Sequence, residues 1–297
     1  MPLLANSSVS EDAYQKESED IRERFERSHD GQAAVRERSN LTDSLIGELW
    51  NQVSPGSPDR MCVAALGGYG RRALFPCSDV DVLFLHESAL SEDAQKRVIP
   101  QISQALWDLH LRVSPTTRSL AECGKLHRDN LEFNISLLDC RYICGDAELF
   151  EQLRSQVIPK MVGREALELQ RRLIDLTSAR HNKYGHTIFH LEPNIKDSPG
   201  GLRDYQVAGW LSLISQLEKT GVWPAPGNLL PEAFRAECTA ALDFLSAVRC
   251  FLHYRQGRDL NQLTYELQSE AAAAGIGLPD GPPVAAAVWM RSSITRS

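Results

Sequence analysis

Asp79 and Asp81 stand two residues apart in the run SDVDVLFLH, Ser78 to His86, which is otherwise apolar through Val80, Val82, Leu83, Phe84 and Leu85. In a β-strand, residues two apart face the same way with Cα atoms roughly 6–7 Å apart. Two carboxylates about 6 Å apart repel by about 3 kcal/mol at an effective dielectric near 20. Burial adds to that cost, so an unpaired duo tends to hold a proton. A divalent cation removes the conflict, and Mg²⁺ both prefers hard oxygen ligands and keeps positions open for phosphate oxygens. Upstream, Gly67, Gly68 and Gly70 follow the apolar run MCVAAL. Glycines there permit a tight turn and let bare backbone N–H groups approach phosphates. Arg71 and Arg72 add charge and forked donors beside that turn, and Ser78 adds a hydroxyl before the first aspartate. A Gly-Gly pair alone is a turn, and Asp-x-Asp alone is a solvated strand edge. Together, between two apolar strands, they suit metal-assisted transfer of a nucleotidyl group, in which cations bridge the phosphates and an oxygen attacks in line.

These residues need a sheet to hold them. The chain has 297 residues, enough for one large domain or two ordinary ones, and it is 42% hydrophobic and 24% charged, the composition of a soluble globular protein. A net charge of −7 gives no general attraction to nucleic acid. No apolar run reaches the length of a membrane span, the first residues lack a signal-peptide core, and the seven cysteines form no Cys-x-x-Cys pair. A cytoplasmic protein with reduced, buried thiols is expected.

Residues 11–53 read as one or two solvated helices, and SPGSPDR, Ser54 to Arg60, as a linker. MCVAAL and DVDVLFLH read as strands, followed by an amphipathic helix over SEDAQKRVIPQISQALWDLH with Pro100 a candidate kink. LRVSPTTRSL and NISLLDCRYIC read as further strands flanking a helix over LAECGKLHRDN. After Asp146 only helical patterns remain: two up to Tyr184, then others near Gln206–Thr220, Glu232–Tyr254 and Leu263–Ala274. The expected fold is an α/β (α+β) domain with a small mixed sheet, followed by an all-helical domain. Its parts are a helical segment over 1–55, the sheet domain over 56–150 and the helical domain over 151–297.

Gly67-Gly68, ten residues, then Asp79-Val80-Asp81 resembles the signature of the nucleotidyltransferase superfamily that includes DNA polymerase β. The longer string LGGYGRRALFPCSDVDVLFL is similar to that of the PII uridylyltransferase/uridylyl-removing enzymes of bacterial nitrogen control. LEPNIKDSPGGLRDYQ resembles a motif of the helical region in the same family, and LDCRYICGD and LTYELQSEAAAAGIG also fit, so the likeness runs from about Met61 to Arg296. The resemblance implies transfer of UMP from UTP to a tyrosine hydroxyl of a PII-type signalling protein, with no nucleic acid or membrane partner. It implies that Asp79 and Asp81 hold Mg²⁺, that Gly67 and Gly68 seat the triphosphate, and that Arg71 neutralises its charge while Ser78 adds a hydrogen bond. A third carboxylate is implied on a neighbouring strand, able to reach the metal ions and to help activate the attacking hydroxyl. Asp139 is the choice, against the reading that it merely ends a strand and pairs with Arg141. Asp108 and Glu122 are rivals in expected helices. Ala73 stands where the family often has an acid. Family members continue into a UMP-removing phosphohydrolase domain and sensing domains, so the resemblance covers transfer alone. Transfer of another nucleotide such as AMP, and a non-catalytic docking module, are the alternatives.

Three further stretches stay open. His181, His186 and His190 match no zinc spacing and read as a loop. Lys196 and Arg203 flank Pro199-Gly200-Gly201, either as a phosphate- or partner-facing loop or as a tight turn into a helix. Arg249, His253, Arg255 and Arg258 form either a solvated helix face or the acceptor side of a cleft.

Overall fold

A computed structural model describes residues 11–54, 60–87, 94–225, 229 and 231–278. Two N-terminal helices, α1 (Glu11–Ser28) and α2 (Gly31–Val53), precede strand β1 (Met61–Ala65), a single helical turn α3 (Gly67–Gly70) and strand β2 (Val80–His86). Helix α4 (Ile99–Asp108), strand β3 (Val113–Ser119), short helices α5 (Leu120–Cys123) and α6 (Leu131–Leu137) and strand β4 (Arg141–Gly145) complete the sheet region. Helices α7 (Ala147–Gln152), α8 (Ile158–Asn182), α9 (Leu202–Thr220), α10 (Glu232–Gln256) and α11 (Tyr265–Ala273) follow. The sheet has four strands in the order β3-β2-β1-β4; β1 is antiparallel to β2 and β4, and β2 is parallel to β3.

β1 is buried along its whole length, so both faces of the sheet are covered. Strand periodicity divides its neighbours cleanly. Met61, Val63, Ala65, Val80, Val82 and Phe84 pack with α2 and α4, whereas Cys62, Ala64, Leu83 and Leu85 pack against Leu137, Leu149, Leu153, Ile158 and Met161. Asp79 and Asp81 carry odd numbers, like Leu83 and Leu85. They therefore open toward the helical half of the chain, not toward α2. The same apolar cluster continues through Leu169 and Leu173 of α8 to Trp210, Leu213 and Leu217 of α9.

The expected strands over Met61–Leu66, Asp79–His86 and Leu111–Leu120 are present as β1, β2 and β3. NISLLDCRYIC is not one strand: Leu131–Leu137 is helical and only Arg141–Gly145 is extended. Local hydrogen bonding outweighs the apolar, β-branched pattern here. Asn130 caps the helix by accepting from Phe133 N–H (3.1 Å), and buried Asn134 accepts from His127 N–H (2.8 Å) and donates to Lys125 carbonyl (2.8 Å). The helix expected over LAECGKLHRDN stops after one turn, opened by a capping box between Ser119 and Glu122.

The N-terminal helices are not merely solvated. Thr42, Leu45, Ile46, Leu49, Trp50 and Val53 recur at helical spacing and are buried, covering one face of the sheet. Ile21, Phe25, Ala34 and Val35 join a third core with Phe244, Val248 and Leu267. At Gly31 an added Cβ would lie 2.6 Å from the Ser246 carbonyl oxygen, so α2 meets α10 backbone to backbone. Pro100 and Pro159 each sit in the first turn of an α-helix that follows a π-helical segment, Ala94–Val98 and Leu153–Val157. A proline lacks the N–H that would continue the ladder, and the wider turn before it absorbs the break. The expected start of the helix before Ala94, and most of the linker, lie outside the described residues.

Candidate active site

The Gly-rich segment leaves β1 as a helical turn clamped from behind. Leu66 N–H bonds the Asp81 carbonyl (3.0 Å), then Gly70 N–H returns to Leu66 carbonyl (2.8 Å) and Arg71 N–H to Gly67 carbonyl (3.1 Å). Gly67 has φ +52°, the left-handed region, and a Cβ there would stand 3.2 Å from Asp81 Oδ2. The glycine thus gives the carboxylate its room. Fully buried Tyr69 donates its hydroxyl to Asp43 Oδ1 (2.7 Å), and Arg141 grips the Asp43 carboxylate through both terminal nitrogens (2.7 and 3.0 Å). Arg141 also donates to the carbonyls of Gly70 and Tyr69 (both 3.2 Å).

Asp43 is therefore the anchor of the glycine turn. Nothing in the sequence singles it out, because it sits in a charged helix as one acid among many. Removing it strands a half-buried guanidinium and a buried phenol. Asp43→Ala is expected to cost about 3 kcal/mol, read as a lower urea midpoint at unchanged slope.

Asp79, Asp81 and Asp139 line one cleft of about 630 Å³, together with Gly67, Gly68, Arg71 and Ser78. Burial first, then the charge of Asp79, pushes the Asp81 carboxyl up to about 6, while Arg71 and Lys196 pull it back down. Asp139 lies in the turn between α6 and β4 and not on a strand. Its side chain is 8% exposed, and its Oδ2 accepts from Arg71 and from Trp210 Nε1 (3.0 Å). Burial raises its carboxyl above the usual range and Arg71 opposes the rise. Its partner is thus Arg71; Arg141 belongs to Asp43. Among the described residues no group of three or more His, Cys, Asp or Glu side chains is placed to hold a metal ion. In this arrangement Asp139 is the counter-ion of Arg71. The rivals fall away from the cleft: Asp108 accepts from Gln104 on the surface of α4, and Glu122 is engaged in its capping box.

The helical half supplies the opposite wall. Buried Arg249 lies over the Phe75 ring at 4.1 Å and donates to Ser78 Oγ (3.3 Å), Asp259 (3.1 Å) and Asn261 (2.7 Å). Lys196 and Arg203 also line the cleft. Arg255 instead pairs with Glu270 (2.6 Å) outside it, Arg258 is exposed, and His253 is buried with its Nδ1 accepting from Cys77 N–H (3.2 Å). The basic helix therefore divides between cleft wall and solvent face. His181 binds Asp204 (2.9 Å), His186 contacts Asn182, and His190 stands edge-on to Tyr184 (5.9 Å). Each histidine has a different partner.

Residues 168–295 match the family model described as GlnD PII-uridylyltransferase. The chain is 33% identical over 263 residues to the bifunctional uridylyltransferase/uridylyl-removing enzyme of Cereibacter sphaeroides, covering 85% of this chain and 28% of that protein. It is 33% identical over 274 residues to the enzyme of the same description from Phenylobacterium zucineum (84% and 28%). With the one from Aliivibrio fischeri it shares 34% over 238 residues (80% and 27%). The chain thus spans little more than a quarter of the length of these relatives.

Proposed function

Since the chain belongs to the family of bifunctional uridylyltransferase/uridylyl-removing enzymes, of which it spans one part, we propose that its cleft transfers UMP from UTP to a tyrosine hydroxyl of a PII-type signalling protein, in the cytoplasm and with Mg²⁺. The observation that carries this reading is the cleft itself. Two carboxylates at the start of β2, Asp79 just before it and Asp81 within it, face cations from the end of α3, from α9 and from α10 across a space large enough for a nucleotide. Asp79 and Asp81 fit a hard divalent cation: the donors are carboxylate oxygens, and Asp81 is disfavoured as a bare anion by burial and by its neighbour. When bound there, Mg²⁺ supplies charge neutralisation and alignment of the phosphate oxygens.

The chain's own residues do the rest. Gly67 and Gly68 keep side chains out of the path of the phosphates, and Arg71 neutralises their charge. Ser78, held by Arg249, adds a hydroxyl donor. As Arg71 turns from Asp139 to the phosphates, Asp139 is released as proton acceptor for the attacking hydroxyl. Removal of UMP is in the name of the relatives and is not part of this proposal. Among the described residues no helix is long and apolar enough to cross a membrane.

Isothermal titration tests the reading. Mg²⁺-dependent UTP binding, lost in the double variant Asp79→Ala plus Asp81→Ala, is the expected result, followed by incorporation of labelled UMP into purified PII protein. Preference for ATP would move the proposal to adenylyl transfer, and metal-independent or absent nucleotide binding would leave a docking module.

A further inference from the structure

The loop joining α8 to α9 sets two cations side by side. Asn194 Oδ1 accepts from the N–H groups of Lys196 (3.1 Å) and Asp197 (2.8 Å), and the Asn194 carbonyl accepts from Ser198 N–H (3.0 Å). The chain then reverses through Pro199-Gly200-Gly201. Gly200 has φ +80°, and a Cβ on Gly201 would lie 2.9 Å from the carbonyl oxygens of Ile195, Lys196 and Ser198. On the return, Leu202 N–H bonds Ile195 carbonyl (3.0 Å) and Arg203 N–H bonds Lys196 carbonyl (2.9 Å). Residues 196 and 203 thereby become backbone neighbours. The loop is fixed below by Ile195 N–H on Asn261 carbonyl and by Leu263 N–H on Pro193 carbonyl (both 2.9 Å). Both cations are thus presented to the cleft on a backbone with little freedom.

Their charges are loosely balanced. Among the described residues the nearest carboxylate to Lys196 Nζ is Asp259 at 3.8 Å, which Arg249 already engages at 3.1 Å, and Arg203 Nε stands 4.0 Å from Asp197. Burial first, then Arg249, depresses the Lys196 ammonium; burial, then Arg71, depresses the Arg203 guanidinium. Cations crowd on this wall as carboxylates crowd at Asp79 and Asp81. The two walls face one space, because Asp79, Asp81, Lys196 and Arg203 all line the same cleft. One occupant relieves both conflicts: a polyphosphate carrying a divalent cation.

We propose that Lys196 and Arg203 bind the β- and γ-phosphates of the nucleotide and steady pyrophosphate as it departs. This rests on the nucleotidyl-transfer reading above. In that step the acceptor oxygen bonds to the α-phosphorus and the bond from α-phosphorus to the α–β bridging oxygen breaks. Its electron pair leaves on pyrophosphate, and the acceptor proton passes to a cleft carboxylate. Negative charge grows on the leaving group, and the two cations meet it there.

Calorimetry with Mg²⁺-tripolyphosphate, Mg²⁺-UTP and UMP on the full chain decides the matter. Lys196→Gln and Arg203→Gln are each expected to weaken tripolyphosphate and UTP about tenfold to a hundredfold, and UMP less than about twofold. Lys196→Arg is expected to keep most of the affinity, and Lys196→Met, which retains the apolar stem, stands in should Gln unfold the loop. Variants that hold tripolyphosphate as tightly as the parent, variants that lose UMP as much as UTP, or a parent that binds no tripolyphosphate would each overturn the assignment. Tripolyphosphate binding that depends on both cations, with no preference for UTP and no labelling of PII protein, would uphold it while overturning uridylyl transfer.

Discussion

Asp81→Asn should make the metal-free protein more stable at pH 8 while abolishing nucleotidyl transfer. The folded carboxyl titrates at about 6 against an ordinary 3.8, so its ionisation weighs against the fold. A raised carboxyl weakens the fold above about pH 6, and the penalty fades as pH falls toward 3.8 and the group protonates in both states. The gap between those two values corresponds to about 3 kcal/mol at most; partial solvent access at Asp81 reduces this to about 1–2 kcal/mol. Asparagine carries no such penalty. Thermal melts of parent and variant should therefore differ at pH 8 and converge near pH 4. Activity should move the other way. Loss of a carboxylate proposed to hold the cation should exceed the ten- to hundredfold cost usual for a ligand's outer partners, so a drop of at least about a hundredfold is expected. A variant that is less stable at pH 8, or that still transfers UMP at the parental rate, would remove Asp81 from the centre of the site.

Gly70→Ala should be the most damaging single methyl in the glycine turn, and Gly68→Ala the mildest. A Cβ on Gly70 would overlap the Asp139 carbonyl oxygen outright and stand 3.1 Å from the Ala65 carbonyl oxygen. Both obstacles are backbone, one entering β4 and the other ending β1, so neither can swing aside. Overpacking of this kind costs about 3 kcal/mol or more, and it displaces Asp139 and Arg71 together. On Gly68 the nearest atom would be the Ala73 carbonyl oxygen at 3.5 Å, an ordinary contact. Urea melts should show a large fall in midpoint for Gly70→Ala and almost none for Gly68→Ala. Gly68→Ala would then lose UTP affinity without losing stability, separating the phosphate path from the fold.

The strands that matter most were legible because their signals are local. An apolar run, three glycines and an alternating Asp-Val-Asp place two carboxylates on one face of a strand whatever lies around it. The strand expected at NISLLDCRYIC failed for the opposite reason. Buried Asn134 takes its partners from Lys125 and His127, which a pattern of apolar spacing does not record. The N-terminal helices show the same limit. Leu45, Ile46 and Leu49 lie among many charges, and their burial depends on the sheet that covers them.

From the amino-acid order alone, then, came the existence of the carboxylate pair, the glycine turn beside it and the shift from strands to helices after residue 146. Those follow from backbone geometry and side-chain alternation over a few residues, where tertiary context has little leverage. Folding in three dimensions decided the rest. It paired Asp139 with Arg71 and gave Arg141 to Asp43. It carried Lys196, Arg203 and Arg249 across more than a hundred residues of sequence to face Asp81. Charges so far apart in the chain leave no trace in any short window, because only a packed interior brings them within Coulombic reach and excludes the water that would screen them.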